Sequence, residues 1–246
     1  MPAVLLVHGG PWARDMWGYD PEVQWLANRG YAVLQVNFRG SSGYGKAFLN
    51  AGNREWAAKM HDDLIDAVNW LVQQSIANPS KIAIMGGSYG GYATLVGLTF
   101  TPDVFVCGVD IVGPSNLVTL LESFPPYWAP LKAMFFHRVG DLEKEEDFLK
   151  SRSPLFYCDR IQKPLLIAQG ANDPRVKQSE SEQIVNAIRQ SGKPVQYVLY
   201  SDEGHGFARP EHRLHFYAIA DEFLAKHLGG RFEPLTDMVR HSGVIS

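Results

Sequence analysis

The sequence predicts an α/β fold, with a mostly parallel, doubly wound sheet of about six strands flanked by helices. Three observations predict it. Short apolar runs rich in Val, Ile and Leu recur along the chain, segments of helical periodicity separate them, and no internal repeat, low-complexity stretch or linker divides the 246 residues.

The first strand is expected over residues 4–8, where Ala3-Val4-Leu5-Leu6-Val7 form an apolar run closed by a glycine turn. The chain thus enters its core almost at once, which reads either as a compact protein or as a chain with something upstream left out. A second strand is expected over 32–37. Leu64, Ile65, Val68, Leu71 and Val72 then mark one face of a helix over 62–74, whose early acids suit a helix N-terminus. A third strand over 81–85 leads through a glycine-rich turn into a helix over 92–98, and a fourth follows over 105–111. The segment 113–163 breaks the rhythm. It holds Phe124, Tyr127, Trp128, Phe135 and Phe136 among prolines, and an insertion of that length is expected to form a lid or pocket wall. A fifth strand over 164–169, a helix over 179–191 stopped by Gly192 and Pro194, a sixth strand over 195–200 and a helix over 211–227 stopped by Gly229 and Gly230 complete the pattern. Residues 1–230 therefore read as one domain, and the tail 231–246, with little periodicity, is expected to fray.

Composition narrows the function classes. Apolar residues make up 46% and charged residues 20%, and 23 Lys+Arg against 26 Asp+Glu leave a formal charge of −3 without long blocks of either sign. That balance excludes a disordered chain and a dominant nucleic-acid footprint. No apolar run reaches the roughly 18 residues of a membrane helix and no signal stretch is present, so a protein without membrane association is expected. The two cysteines, Cys107 and Cys158, cannot build a disulfide framework and fit a cytoplasmic location.

The chemistry centres on Gly86-Gly87-Ser88-Tyr89-Gly90-Gly91, a GxSxG motif lying directly between a strand and a helix. Glycines on both sides let neighbouring backbone pass close to a strained turn, so that the Ser88 hydroxyl stands exposed. The competing reading, a phosphate loop, lacks the lysine that should follow the second glycine; Tyr92 stands in that neighbourhood. A serine hydroxyl needs a histidine base and an acid to orient it, on later loops in the order Ser, Asp, His. His205, between Gly204 and Gly206 after the last strand, is the base this order selects. Asp173 follows the fifth strand after Gly170-Ala171-Asn172 and is preferred as the acid. Its competitor Asp202 lies only three residues before His205, too close along the chain to reach the far ring nitrogen. Asp173 also suits a plain turn before Pro174, a role compatible with the other.

Two N–H donors are needed for a developing oxyanion. Tyr89, next to the nucleophile at a helix start, supplies one; the loop His8-Gly9-Gly10-Pro11 resembles the HGGG-type loops of esterases, and Gly10 supplies the second. His8 is expected to shape that loop. His212 and His215, three apart on the final helix, read as a solvated face rather than a metal pair, since no third ligand is evident. His61 belongs to a helix start, and His137, His227 and His241 have no motif around them.

Taken in order, His8-Gly9-Gly10-Pro11, Asn37-Phe38-Arg39-Gly40-Ser41-Ser42-Gly43-Tyr44-Gly45, Gly87-Ser88-Tyr89-Gly90-Gly91-Tyr92, Ser153-Pro154-Leu155, Asn172-Asp173-Pro174-Arg175-Val176 and Gly204-His205-Gly206-Phe207 resemble the catalytic domain of the prolyl oligopeptidase family. The likeness is to its acylaminoacyl-peptidase and dipeptidyl-aminopeptidase branch and runs from about residue 4 to 228. It implies an α/β-hydrolase fold with Ser88 as nucleophile, Asp173 as orienting acid and His205 as general base. It further implies that Arg175 binds a substrate carbonyl, against the alternative of a surface salt bridge, and that Tyr92, Val176 and aromatics of 113–163 form an apolar substrate pocket. Family members usually carry an amino-terminal β-propeller and additional strands, both missing from this sequence.

The expected function is that of a serine-type peptidase cleaving peptide or acyl-amino-acid bonds through an acyl-enzyme. Two readings stand beside it: a carboxylesterase for short acyl esters, and a non-catalytic fragment or interaction domain. No cofactor or metal is implied, the partner is a small peptide or ester substrate, and the second strand could form an exposed sheet edge through which copies associate.

Overall fold

Alternating side chains place the sheet between two apolar layers. In the first strand, Ala3–Val7 (β1), Ala3, Leu5 and Val7 join one buried cluster while Val4 and Leu6 join another, so the strand is buried on both faces. The computed structural model describes residues 1–234 and 244–245. After β1 the chain runs through Pro21–Asn28 (α1), Ala32–Gln35 (β2), Lys46–Asn50 (α2), Lys59–Gln73 (α3), Ile82–Gly87 (β3), Tyr89–Phe100 (α4) and Cys107–Ile111 (β4). The insertion contributes Leu117–Glu122 (α5), a 3-10 helix at Pro126–Leu131, Lys132–Arg138 (α6), Glu146–Ser151 (α7) and a second 3-10 helix at Pro154–Arg160. Leu165–Gly170 (β5), Gln178–Gln190 (α8), Gln196–Tyr200 (β6), Pro210–Leu228 (α9) and Val244–Ile245 (β7) follow.

The strand order is β2-β1-β3-β4-β5-β6-β7, and the first six are parallel. α3, α4, α5 and α8 cover one face of the sheet, and α1 and α9 the other, giving the doubly wound arrangement expected. Helix ends follow local chemistry. Asp20 caps α1 by accepting from the Glu22 and Val23 N–H groups, with Pro21 in the first turn, and α9 starts at Pro210 and stops at Gly229, whose φ of 79° suits glycine.

One feature departs from the sequence reading. Val244–Ile245 lies in the tail expected to fray, yet pairs antiparallel with Leu199 and Tyr200 of β6; the rest of the tail after residue 234 lies outside the described residues. A two-residue strand carries too little periodicity to be read, because its pairing partner supplies the hydrogen bonds that define it. The 113–163 segment is mainly helical: its second 3-10 helix packs on α4 and α8, and α5 packs on α7.

A parallel sheet sends every strand's carboxyl end to the same edge, and loops that leave that edge can converge from distant sequence. Those after β1, β3, β5 and β6 are the ones carrying the predicted chemistry.

Candidate active site

Ser88 occupies the turn between β3 and α4 with φ 58° and ψ −115°, a conformation costing a non-glycine residue about 1–3 kcal/mol. The turn is held rather than relaxed: the Ser88 N–H donates to the Ile111 carbonyl at 2.8 Å, and its carbonyl accepts from Tyr92 at 3.0 Å. Such tightness requires glycines. A methyl group on Gly90 would overlap the Val7 carbonyl, so α4 can start against β1 only with no side chain there. The Ser88 side chain makes no capping bond to α4, leaving the first N–H groups of that helix, Tyr89 included, without a side-chain acceptor.

The loop after β1 comes to the same place. A Cβ at Gly9 would stand 3.5 Å from Ser88 Cβ, and Gly10, exposed and at φ 118°, follows it. His8 shapes this loop, as expected: its ring stacks on Phe38 at 4.5 Å, and its Nε2 lies 3.0 Å from the hydroxyl of fully buried Ser41. The His8-Gly9-Gly10 segment is thereby tied to the Phe38-Arg39-Gly40-Ser41 loop, where Arg39 grips both oxygens of Asp63.

Asp173 and His205 meet across 32 residues of sequence, with Asp173 Oδ2 at 2.7 Å from His205 Nδ1. The other oxygen, Oδ1, accepts the N–H groups of Arg175 and Val176 at 2.8 and 3.0 Å, so one carboxylate both holds its own turn and contacts the imidazole. Asp202 does not compete. It is 40% exposed and pairs with Arg209 Nε at 2.9 Å. His205 keeps 14% of its side chain exposed while that of Asp173 has none, so a partly exposed imidazole is backed by a dry carboxylate.

Other expected residues fall elsewhere. Tyr92 has no exposed surface: its ring packs on Trp56 and Tyr89, and its hydroxyl donates to the Arg152 carbonyl at 2.7 Å. Val176 is 4% exposed and belongs to the core. Both back the site rather than line an open pocket, because residues flanking a tight turn point inward where the backbone turns out. Arg175 is exposed and has no ion-pair partner among the described residues, contrary to the salt-bridge alternative. The insertion reaches the site through aromatics: Phe135 meets Trp12 edge-on at 5.0 Å, and Phe124 and Trp128 pack around Phe135.

His212 and His215 are buried, at 3% and 7% exposure, which corrects the solvated face expected of them. His212 Nδ1 lies 2.9 Å from Glu203 Oε1 and His215 Nδ1 lies 2.9 Å from the Tyr200 hydroxyl; among the described residues no group of three metal-ligating side chains assembles. Sequence reasoning also passed over Gln169, fully buried, whose amide reaches the Val176 carbonyl at 3.1 Å and Asp173 Oδ2 at 3.5 Å. Nothing in its strand-end position distinguished it from an ordinary buried polar residue. A cavity of about 460 Å³ between Pro164, Pro194, Phe223 and Lys226 opens at the amino ends of β5 and β6, the opposite edge of the sheet from Ser88. No helix among the described residues is long and apolar enough to cross a membrane.

Comparison with known proteins matches residues 17–231 to the model of the prolyl oligopeptidase family. The chain is 65% identical over 237 residues to dipeptidyl aminopeptidase BIII of Pseudoxanthomonas mexicana, covering 96% of this chain and 34% of that one. It is 56% identical over 234 residues to dipeptidyl peptidase family member 6 of Caenorhabditis elegans, covering 94% and 32%. Among solved structures, a puromycin-hydrolyzing peptidase of Mycobacterium tuberculosis superposes with a TM-score of 0.86 at 35% identity, over 96% of this chain and 35% of that one. The chain spans about a third of the length of the curated relatives it matches.

Proposed function

This chain belongs to the prolyl oligopeptidase family, and we propose that it is a serine-type peptidase hydrolysing peptide or acyl-amino-acid bonds through an acyl-enzyme, with Ser88, Asp173 and His205 as the triad. One observation carries the reading: the 2.7 Å contact between Asp173 Oδ2 and His205 Nδ1, at the sheet edge where Ser88 stands in its strained turn. With Nδ1–H donated to Asp173, Nε2 is the free basic nitrogen. It takes the Ser88 proton as Oγ attacks the carbonyl carbon, and the N–H groups of Tyr89 and Gly10 hold the oxyanion. Collapse expels the amine, which leaves with the proton from His205; water, deprotonated by the same nitrogen, then releases the acyl group. Arg175, exposed beside Asp173, is the donor proposed for a substrate carbonyl, and the Trp12, Phe124 and Phe135 cluster the apolar wall.

A fluorophosphonate probe tests this. Covalent labelling of the folded chain that disappears in Ser88→Ala supports the triad. No labelling of the wild-type chain would favour the non-catalytic reading instead. Esterase activity on short acyl esters is the second reading, favoured by the exposure of Gly10, which follows the Gly9 that packs against Ser88; an ester and a dipeptidyl anilide compared on one preparation separate the two. A cytoplasmic location fits the unpaired Cys107 and Cys158. Association of copies through β2 draws support from its position at the edge of the sheet.

A further inference from the structure

Glu203 ties both ends of the His205 loop to each other and to the elements beside it. Its backbone carbonyl accepts the Asn172 N–H at 2.9 Å, which binds the start of that loop to the loop of Asp173. Its side-chain Oε2 accepts the Ala208 N–H at 2.9 Å and Oε1 the Arg209 N–H at 2.9 Å, on the far side of His205. The His212 ring on α9 adds a third donor through Nδ1. One residue therefore closes the 203–209 loop upon itself, upon the neighbouring acid loop and upon a helix. Between these ties the chain is doubled back by a bridge between Gly204 and Gly206, and Phe207 is held against Tyr200 and Phe216 at 4.6 and 5.2 Å. His205 is thus carried on a short arch with both feet anchored.

Glu203 is 2% exposed, and an unpaired carboxylate there would be strongly disfavoured. Burial pushes its carboxyl up, but the Ala208 and Arg209 N–H groups and His212 more than offset this and hold it below the usual range, so it stays ionised and acceptor-only. An acceptor-only group is what two converging N–H groups and a ring N–H require. A helix cap alone would explain the bond to Arg209, which precedes α9. It would not explain the second bond, from Ala208 to the other carboxylate oxygen.

We propose that Glu203 is a positioning residue whose carboxylate sets the His205 loop so that the imidazole meets Asp173. The role rests on Ser88, Asp173 and His205 acting together, and the experiment separates the two ideas. Wild-type chain is first shown to label with fluorophosphonate and to hydrolyse a p-nitrophenyl ester; failure there sinks the triad, not the positioning role alone. In Glu203→Gln the amide nitrogen cannot accept, so one of the loop's N–H bonds is lost. The expected result is a fall in kcat of about 10²-fold with KM within about twofold, the size of effect that follows an ångström of misplacement. The far-downfield proton resonance of the Asp173–His205 hydrogen bond should broaden or vanish with it. A second variant leaves Glu203 in place. Arg209 already has φ −71°, which proline adopts, so Arg209→Pro deletes one donor to the carboxylate and, measured against Arg209→Ala, which loses only the exposed pairs with Asp202 and Glu211, should lower kcat roughly 10-fold. If Glu203→Gln does not fold, Arg209→Pro decides by the same readouts. Unchanged kcat and an unchanged resonance, with only a lowered melting temperature, would make Glu203 a helix cap and overturn the proposal.

Discussion

Asp110 accepts the Gly113 N–H through Oδ1 at 2.9 Å, while its other oxygen, fully buried, has no hydrogen-bond partner among the described residues. The pair lies immediately behind the Ser88 turn, since Asp110 is in register with Gly86 and its neighbour Ile111 accepts the Ser88 N–H. Burial pushes the Asp110 carboxyl up to about 8, against the opposing pull of the Gly113 N–H.

That shift has a definite sign in stability. Unfolded chain releases the Asp110 proton near 3.8, whereas folded chain keeps it until about 8. Between those values the folded state binds more protons, so this residue's contribution to stability falls as pH rises and levels off above 8. Asp110→Asn keeps the acceptor for Gly113 and removes the titration. Its melting temperature should gain on the wild type progressively from pH 5 to pH 8; parallel curves across that range would contradict the assignment.

Asp173→Asn probes orientation without unfolding the turn. The amide oxygen can still accept from Arg175 and Val176, but the NH₂ would face His205 Nδ1 and impose the wrong tautomer. A loss in kcat of about 10⁴-fold with a nearly unchanged melting temperature is expected, read by ester hydrolysis and thermal unfolding.

Gly90→Ala tests the close approach of α4 to β1. The added methyl meets backbone, which cannot rotate away, so a destabilisation of about 1–3 kcal/mol is expected from denaturant unfolding. Labelling of Ser88 should slow in the same variant, because the turn and the helix start move together.

Arg175→Met separates substrate binding from chemistry. With no ion pair to lose among the described residues, stability should stay within about 0.5 kcal/mol of wild type. KM for a peptide substrate should rise roughly 10-fold, the effect of losing a hydrogen bond from a charged donor, while a short ester lacking the second carbonyl is unaffected. Equal effects on both substrates would count against the role.

The parallel layering and the order of Ser88, Asp173 and His205 were legible because their signals are local. Five or six apolar residues make a buried strand, and a strand, a glycine-flanked serine and a helix are contiguous in the chain. Strand ends were read to within two residues for the same reason. The strand order β2-β1-β3, the burial of His212 and His215, and the withdrawal of Tyr92 into the core were not legible, since each depends on which distant element covers a side chain.

Glu203 shows the boundary most clearly. It stood in view beside His205, yet as a charged residue in a loop it had the ordinary expectation of facing water. Its carboxylate is held by Ala208, Arg209 and His212 on a later helix, and its backbone carbonyl takes the Asn172 N–H, thirty-one positions earlier. Chain-local chemistry was enough to single out Ser88, Asp173 and His205 as the proposed nucleophile, acid and base, because each motif carries its own turn and its own strand. Their distances, and the buried groups that hold them at those distances, were set by packing, because the convergence of loops at one sheet edge is a property of the parallel sheet and of no single segment in it.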